Sequence, residues 1–362
     1  MSHQLQSLKQ LSISRIAIVR ALPGLGDLLC TVPAFRALRA AFPQAQITLI
    51  GLPWAHSFVE RFSHYLNEFL EFPGYPGIPE VPPSVHKLPE FLLKAQEQHF
   101  DLVLQMHGNG IVSNSFTTLL GARIHAGFYL PEHYCPDPDY FLPYPDNEPE
   151  IWRHLRLMEF LGIPLQWDEL EFPLRDEDFA ALPHLPDKYV CIHPGASLPE
   201  KRWSLKSFAA VADAIAARGF QVVLTGTASE ANLTQALTAM MRFQPIDLAG
   251  KTSLGTMAAL LSKASLLVCN DTGVSHLAAA LRVKSVVIFT NASLHRWAPL
   301  NREIHRSLSP SFIHFPDVEE SFVSSTSKSF DTKFGGFYFP VTPAMVMTQV
   351  EDLLLKETSN VT

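Results

Sequence analysis

The residues able to do chemistry gather in short turns, each placed just after an apolar run. The sharpest reads Asn270-Asp271-Thr272-Gly273-Val274-Ser275-His276. A helix starting here turns free backbone N–H groups and the positive end of its dipole outward, which suits a diphosphate. Gly273 lets an anion approach the main chain, and His276 lies over the first helical turn. A plainer reading makes Asp271 or Thr272 an ordinary helix N-cap and His276 a packed core histidine.

A second turn, His193-Pro194-Gly195-Ala196-Ser197, is followed by Lys201-Arg202-Trp203. Lys201 could set a point charge on a phosphate, with Ser197 in the same loop. On spacing alone, Lys201 and Arg202 also read as solvated loop charges. Thr225-Gly226 closes another apolar run, and Glu230 follows soon after. That carboxylate could accept hydrogen bonds from ribose hydroxyls or simply occupy a first helical turn. In Pro23-Gly24-Leu25-Gly26-Asp27, Gly24 and Gly26 make half of a dinucleotide fingerprint, but Leu29, just before Cys30, stands where its third glycine belongs. A nicotinamide cofactor is therefore not expected. Asp27 is either an N-cap or, at a cleft-facing strand-to-helix turn, a general base. His107–Gly110 is a fifth turn of the same kind.

These turns need rigid elements behind them. Residues 15–20, 47–50 and 102–106 read as buried strands, as do 189–193, 221–224, 266–269 and 285–289. Helix-period stretches at 27–41, 204–218, 228–241 and 272–280 alternate with them, and 343–356 closes the chain. The alternation predicts parallel sheets with helices on both faces. Ligands of such sheets bind beyond the carboxyl ends of the strands. The turns therefore count as one site, lined also by Gly26, His193, Gly195, Thr225 and Gly226. Residues 172–188, with three prolines and no clear period, read as the linker between two halves. The Pro-rich segments 73–89 and 131–149 and the Ser- and Phe-rich 307–339 read as irregular.

A chain of 362 residues suits two domains of roughly 150–180 each. Lys and Arg number 28 against 35 Asp and Glu, a net charge of −7, with no basic block, so nucleic acid is not an expected partner. The first twenty residues lack a basic stub followed by an apolar core, and no apolar run approaches ~18 residues. The 4 cysteines, Cys30, Cys135, Cys191 and Cys269, are scattered singly with no C-x-x-C spacing. A cytoplasmic, reduced protein without a metal site or transmembrane segment is the expectation.

Three stretches, in order and at compatible spacing, resemble glycosyltransferase family 9, the heptosyltransferase-like enzymes of lipopolysaccharide core assembly. They are RIAIVRALPGLGDLLCTVPAFRALRAAFP, then HPGAS…KRWSLKSFAAVADAI, then LLVCNDTGVSHLAAAL followed by VVIFTNAS…RWAP. The resemblance implies an α/β chain of GT-B fold, with two Rossmann-like domains whose parallel sheets face a central cleft. The acceptor-side domain would be 1–172, the linker 173–188 and the nucleotide-sugar domain 189–340. The closing stretch 341–362 would be a helix able to cross back to the first domain.

The resemblance also implies an inverting, metal-independent transfer of heptose or a related sugar from a nucleotide-diphospho-sugar, ADP-linked in the best-known members. The acceptor would be a hydroxyl of a glycolipid of lipopolysaccharide type, reached at the inner face of the cytoplasmic membrane. No cofactor beyond the donor substrate is implied. Asp27 matches the family's catalytic Asp and Lys201 its phosphate-binding Lys, with Ser197 in the same loop. Glu230 matches a nucleoside-contacting Glu, and Asp271, Thr272, Gly273 and His276 match the donor-binding turn. The alternatives are a GT-B sugar-nucleotide epimerase, or a non-catalytic sugar-nucleotide-binding protein that keeps the fold.

Overall fold

The computed structural model describes Leu8 and residues 11–314, 330–331 and 336–355, and it divides into two compact units, Met1–Pro173 and Leu174–Thr362. In the first, strands β1 (Arg15–Val19), β2 (Gln46–Gly51), β3 (Glu68–Glu71), β4 (Leu102–Gln105), β5 (Ile124–Tyr129) and β6 (Phe141–Pro143) form one sheet. All its pairings are parallel, in the order β3-β2-β1-β4-β5-β6. β1 is buried from Ile16 to Val19, as a central strand covered on both faces must be.

The second unit repeats the plan. Strands β7 (Tyr189–His193), β8 (Gln221–Leu224), β9 (Ile246–Asp247), β10 (Leu266–Asn270), β11 (Ser285–Ile288) and β12 (His305–Leu308) pair in parallel, in the order β12-β11-β10-β7-β8-β9. Read from β9, this is the connection pattern of the first sheet. Each half is thus a doubly wound unit whose strand order reverses beside its first strand. Part of the Ser- and Phe-rich stretch pairs as a small antiparallel sheet, β13 (Ser311–His314), β14 (Phe330–Asp331) and β15 (Gly336–Phe339). Residues 315–329 and 332–335 lie outside the described residues.

Two expectations need correction. The helix expected over 27–41 is broken into Leu25–Leu29 and Val32–Ala41. Pro33 has no N–H to give the preceding turn, so it starts a new helix instead of extending the old one. The stretch expected as a linker belongs largely to the second unit. Asp176–Ala180 forms a short helix, and Phe179 receives the ammonium of Lys263, 5.3 Å from its ring centre. The closing helix Pro343–Leu355, which the resemblance allows to cross back to the first half, packs in the second unit's core. Its stripe of Val346, Val350 and Leu353 is buried with Val211, Val268 and Val286. Lys284 donates to the Leu353 carbonyl at 2.8 Å, and the Trp203 indole to that of Val341 at 3.0 Å. That apolar stripe at helical spacing matches the face the sheet leaves uncovered, which explains the placement.

Among the described residues no helix is long and apolar enough to cross a membrane. Leu353 is 1% exposed, so Leu353→Ala should cost about 2–5 kcal/mol in urea unfolding. A loss within ~0.5 kcal/mol, as at a surface position, would contradict the packing of this helix.

Candidate functional site

In the second sheet the order reverses between β7 and β10, where His193 pairs in register with Cys269. The next residue of β10, Asn270, has no solvent-accessible surface. Its amide donates to the carbonyls of Pro194 at 2.8 Å and Gly195 at 3.2 Å. Its Oδ1 accepts the Trp203 N–H at 2.9 Å. The segment between carries Ser197, exposed, and Lys201, at the end of a 3-10 turn, Pro199–Lys201. Lys201 Nζ lies 3.0 Å from Asp271 Oδ2, with the lysine side chain 25% and the aspartate 5% exposed. Arg202 is not a solvated loop charge: its Nε and Nη2 both donate to the Ala196 carbonyl, at 2.9 and 2.8 Å. Thr290 Oγ1 donates to the Glu200 carbonyl at 2.8 Å and ties the loop to the end of β11.

The helix Gly273–Ala280 begins directly behind Asp271. Thr272 holds the N-cap position with an extended backbone, yet its side chain makes no capping bond. The Asp271 carboxylate is turned to Lys201, so the capping reading of this turn is not realised. His276 is buried, as a packed histidine would be, with its ring edge-on to Trp297, centroids 6.1 Å apart.

Glu230 comes from the turn after β8. Its Oε2 accepts the Thr227 N–H at 2.8 Å and hydroxyl at 2.9 Å, which closes a capping box. The carboxylate rests against Gly195, where a Cβ would displace it. Gly226 is tight for a similar reason, since a Cβ would meet those of Glu230 and Ala249 at 3.3 and 3.5 Å. His193 Nδ1 pairs with Thr225 Oγ1 at 3.1 Å, while Nε2 stands 3.8 Å from Glu230 Oε2. Burial pushes the His193 pKa down, opposed by the Glu230 charge.

In the first unit Asp27 lies in the first turn of Leu25–Leu29, whose N-cap position belongs to Gly24. Asp27 is therefore not the N-cap residue. Its carboxylate folds back over Gly24, where a Cβ would clash with it, and Gly26 of the same turn is buried. Sequence reasoning missed the residue that fastens this turn. Arg20, 2% exposed, donates from Nε to the Asp27 carbonyl at 2.9 Å and from Nη1 to the Met106 carbonyl at 2.6 Å. Its Nη2 reaches Glu150 Oε1 at 3.1 Å and stands 3.9 Å from Asp27 Oδ1. Arg153 holds the other Glu150 oxygen at 2.9 Å. His107 Nδ1 accepts the Ala21 N–H at 3.1 Å, and Nε2 faces Glu80 Oε2 at 3.6 Å. Arg20 and Asn270 could have been found as the polar residues that end otherwise apolar strands.

Two doubly wound α/β units, with polar turns at their switch points, define a protein of the GT-B class. The model of glycosyltransferase family 9 (heptosyltransferase) matches residues 91–324, and the chain belongs to this family. Lipopolysaccharide heptosyltransferase 2 of Escherichia coli is 25% identical over 92% of this chain and 96% of its own length. Lipopolysaccharide core heptosyltransferase OpsX of Haemophilus influenzae is 27% identical over 40% of this chain, and that match spans only 43% of the relative. Among solved structures, a glycosyl transferase family 9 protein of Veillonella parvula superposes with a TM-score of 0.74 at 21% identity, over 96% of this chain and 98% of its own. The E. coli ADP-heptose lps heptosyltransferase II superposes with a TM-score of 0.72 at 20% identity, over 95% and 100%.

His107, His154 and His305 are each pushed down to about 4 by burial, with Arg20 adding to the effect at the first two and Arg302 at the third. The unfolded chain takes up these protons first. Their contribution is therefore complete above pH ~6.5 and lost as the pH falls toward 4. Urea unfolding between pH 7 and pH 4.5 should show stability falling by up to about 1.4 kcal/mol per pH unit for each histidine. His154→Gln should flatten that slope, and an unchanged slope would contradict a neutral buried ring.

Proposed function

We propose that the chain is an inverting, metal-independent glycosyltransferase that moves a heptose from ADP-heptose to a hydroxyl of a lipopolysaccharide-type glycolipid. Family membership supports the reaction class. The observation that carries the donor site is the meeting, at one switch point, of Lys201 with the uncapped start of Gly273–Ala280. A leaving diphosphate gathers negative charge as the glycosidic bond breaks. Lys201 and the N–H groups at Thr272–Gly273 offset that charge where another transferase would use a divalent ion. One such donor, when lost, typically raises the barrier by about 3–4 kcal/mol. Ser197 flanks the phosphates, Glu230 takes ribose hydroxyls, and His276 backs the helix turn.

On the acceptor side, Asp27 takes the proton of the attacking hydroxyl while that oxygen bonds to the anomeric carbon. The nucleoside diphosphate leaves from the opposite face, which inverts the configuration. The Asp27 carboxylate, 22% exposed, sits on a turn that Arg20 pins through the Asp27 carbonyl. The acceptor is a glycolipid, so the protein works at the inner face of the cytoplasmic membrane.

Mass spectrometry of the product from ADP-heptose and heptose-deficient lipopolysaccharide tests the reaction. Asp27→Asn should lower turnover by about 10²–10⁴-fold and leave ADP affinity unchanged, and near-normal turnover would remove Asp27 from the mechanism. In calorimetry, ADP should bind more tightly than UDP or GDP. Lys201→Ala and Gly273→Val should each weaken it about tenfold or more, and unaltered affinity in both would place the nucleotide elsewhere.

A further inference from the structure

The loop carrying Ser197 and Lys201 leaves β7 at Pro194 and enters the next helix, Leu205–Ala216, just past Trp203. A surface loop of this length has many conformations, and holding Lys201 at one point requires that its ends be fixed. One side chain grips both ends. Asn270 donates to Pro194 and Gly195 where the loop begins and accepts from Trp203 where it finishes. An amide is the group that can do this, because it carries two donors and an acceptor on one rigid plane. Serine offers less reach, and aspartate would set a charge against two carbonyl oxygens.

Asn270 touches neither of the groups proposed to meet phosphate. It is joined to Asp271, the partner of Lys201 Nζ, so the residue that anchors the loop's ends directly precedes the one that receives its lysine. Every other tie to the rest of the unit holds the loop at a single point: the Trp203 indole meets Val341 at the far end, and Lys201 meets Asp271 in the middle. Arg202 closes the loop on Ala196, and Thr290 holds only Glu200. We infer that Asn270 is a positioning residue for donor binding, whose amide sets the Lys201 loop at the switch point of the second sheet. The inference rests on the donor site proposed above, but its local consequence can be read without any ligand.

The first experiment is limited trypsin digestion of the intact protein under native conditions. Lys201 and Arg202 are the cleavable residues of the loop. Asn270→Ser should expose them, and cleavage after 201 or 202 should quicken about tenfold relative to sites elsewhere in the chain. General loss of stability would quicken all sites together, and that result overturns the inference. The second experiment is a double-mutant cycle read by ADP calorimetry. Asn270→Ser should weaken ADP about tenfold when Lys201 is present and about twofold or less beside Lys201→Ala, because its effect passes through that side chain. Additive losses would overturn the positioning role while leaving the donor site intact. If Lys201→Ala itself leaves ADP binding unchanged, the donor reading fails instead, and the digestion result alone then decides whether Asn270 holds the loop. Asn270→Ala, digested in the same way, guards against a feature peculiar to the serine.

Discussion

A parallel sheet that places its first strand in the middle imposes one constraint on everything above it. Crossovers run to opposite faces on either side of that strand, so the loops leaving the first and fourth strands part and open a crevice. This chain obeys the constraint twice, with β1 beside β4 in one unit and β7 beside β10 in the other. The polar turns therefore gather at two switch points for topological reasons, before any chemistry is considered. Whatever holds those parted loops in place then decides how well a site can be built.

The two units meet that demand with different groups. In the first, a buried cation does it: Arg20 ties the Asp27 turn to the end of β4 and is matched by Glu150. A buried ion pair of this sort adds little net stability, since desolvation consumes most of the attraction, yet removing either partner costs about 3–5 kcal/mol. In the second unit a neutral amide does it, with every donor direction of Asn270 used and no charge to desolvate. The difference fits the surroundings. A fixed guanidinium beneath the Asp27 turn faces a carboxylate, whereas the β7–β10 crevice already contains Lys201, Asp271 and, through Gly195, Glu230.

Strands β1, β7, β8 and β10 are legible in the sequence because burial on both faces leaves continuous β-branched and leucine runs. β3 reads EFLE and β9 has two residues, so neither offers a pattern distinct from its loops. β5 hides its character behind Gly127, which lies so close to Gln105 that a Cβ would overlap it. The same split holds in the site. Turns that follow legible strands can be placed by position, and Lys201, Asp271 and Gly273 come together as those positions suggest. Hydrogen-bond partners distant along the chain leave no mark in spacing. Arg202 reads as a free charge until its contact with the Ala196 carbonyl is seen, and the hold of Arg20 on Glu150 spans 130 residues.

The pairing of Lys201 with Asp271 looks at first like an obstacle to the proposed donor, because the ammonium already has a partner. The geometry argues otherwise. The ammonium carries three donors, and the aspartate takes one at 3.0 Å. The lysine end is partly solvated while the aspartate is nearly enclosed, so the enclosed charge must keep its partner and the solvated one retains free directions. A diphosphate arriving at the helix start can take those remaining donors without breaking the pair. Asp271 then acts as the tether that keeps the ammonium of a long, flexible side chain from wandering into solvent. In the donor site proposed above, the same carboxylate lowers the net positive charge that a departing nucleoside diphosphate must leave behind. Tight aim with moderate charge is what a turning-over transferase needs, and a lone lysine on an untethered loop would supply neither.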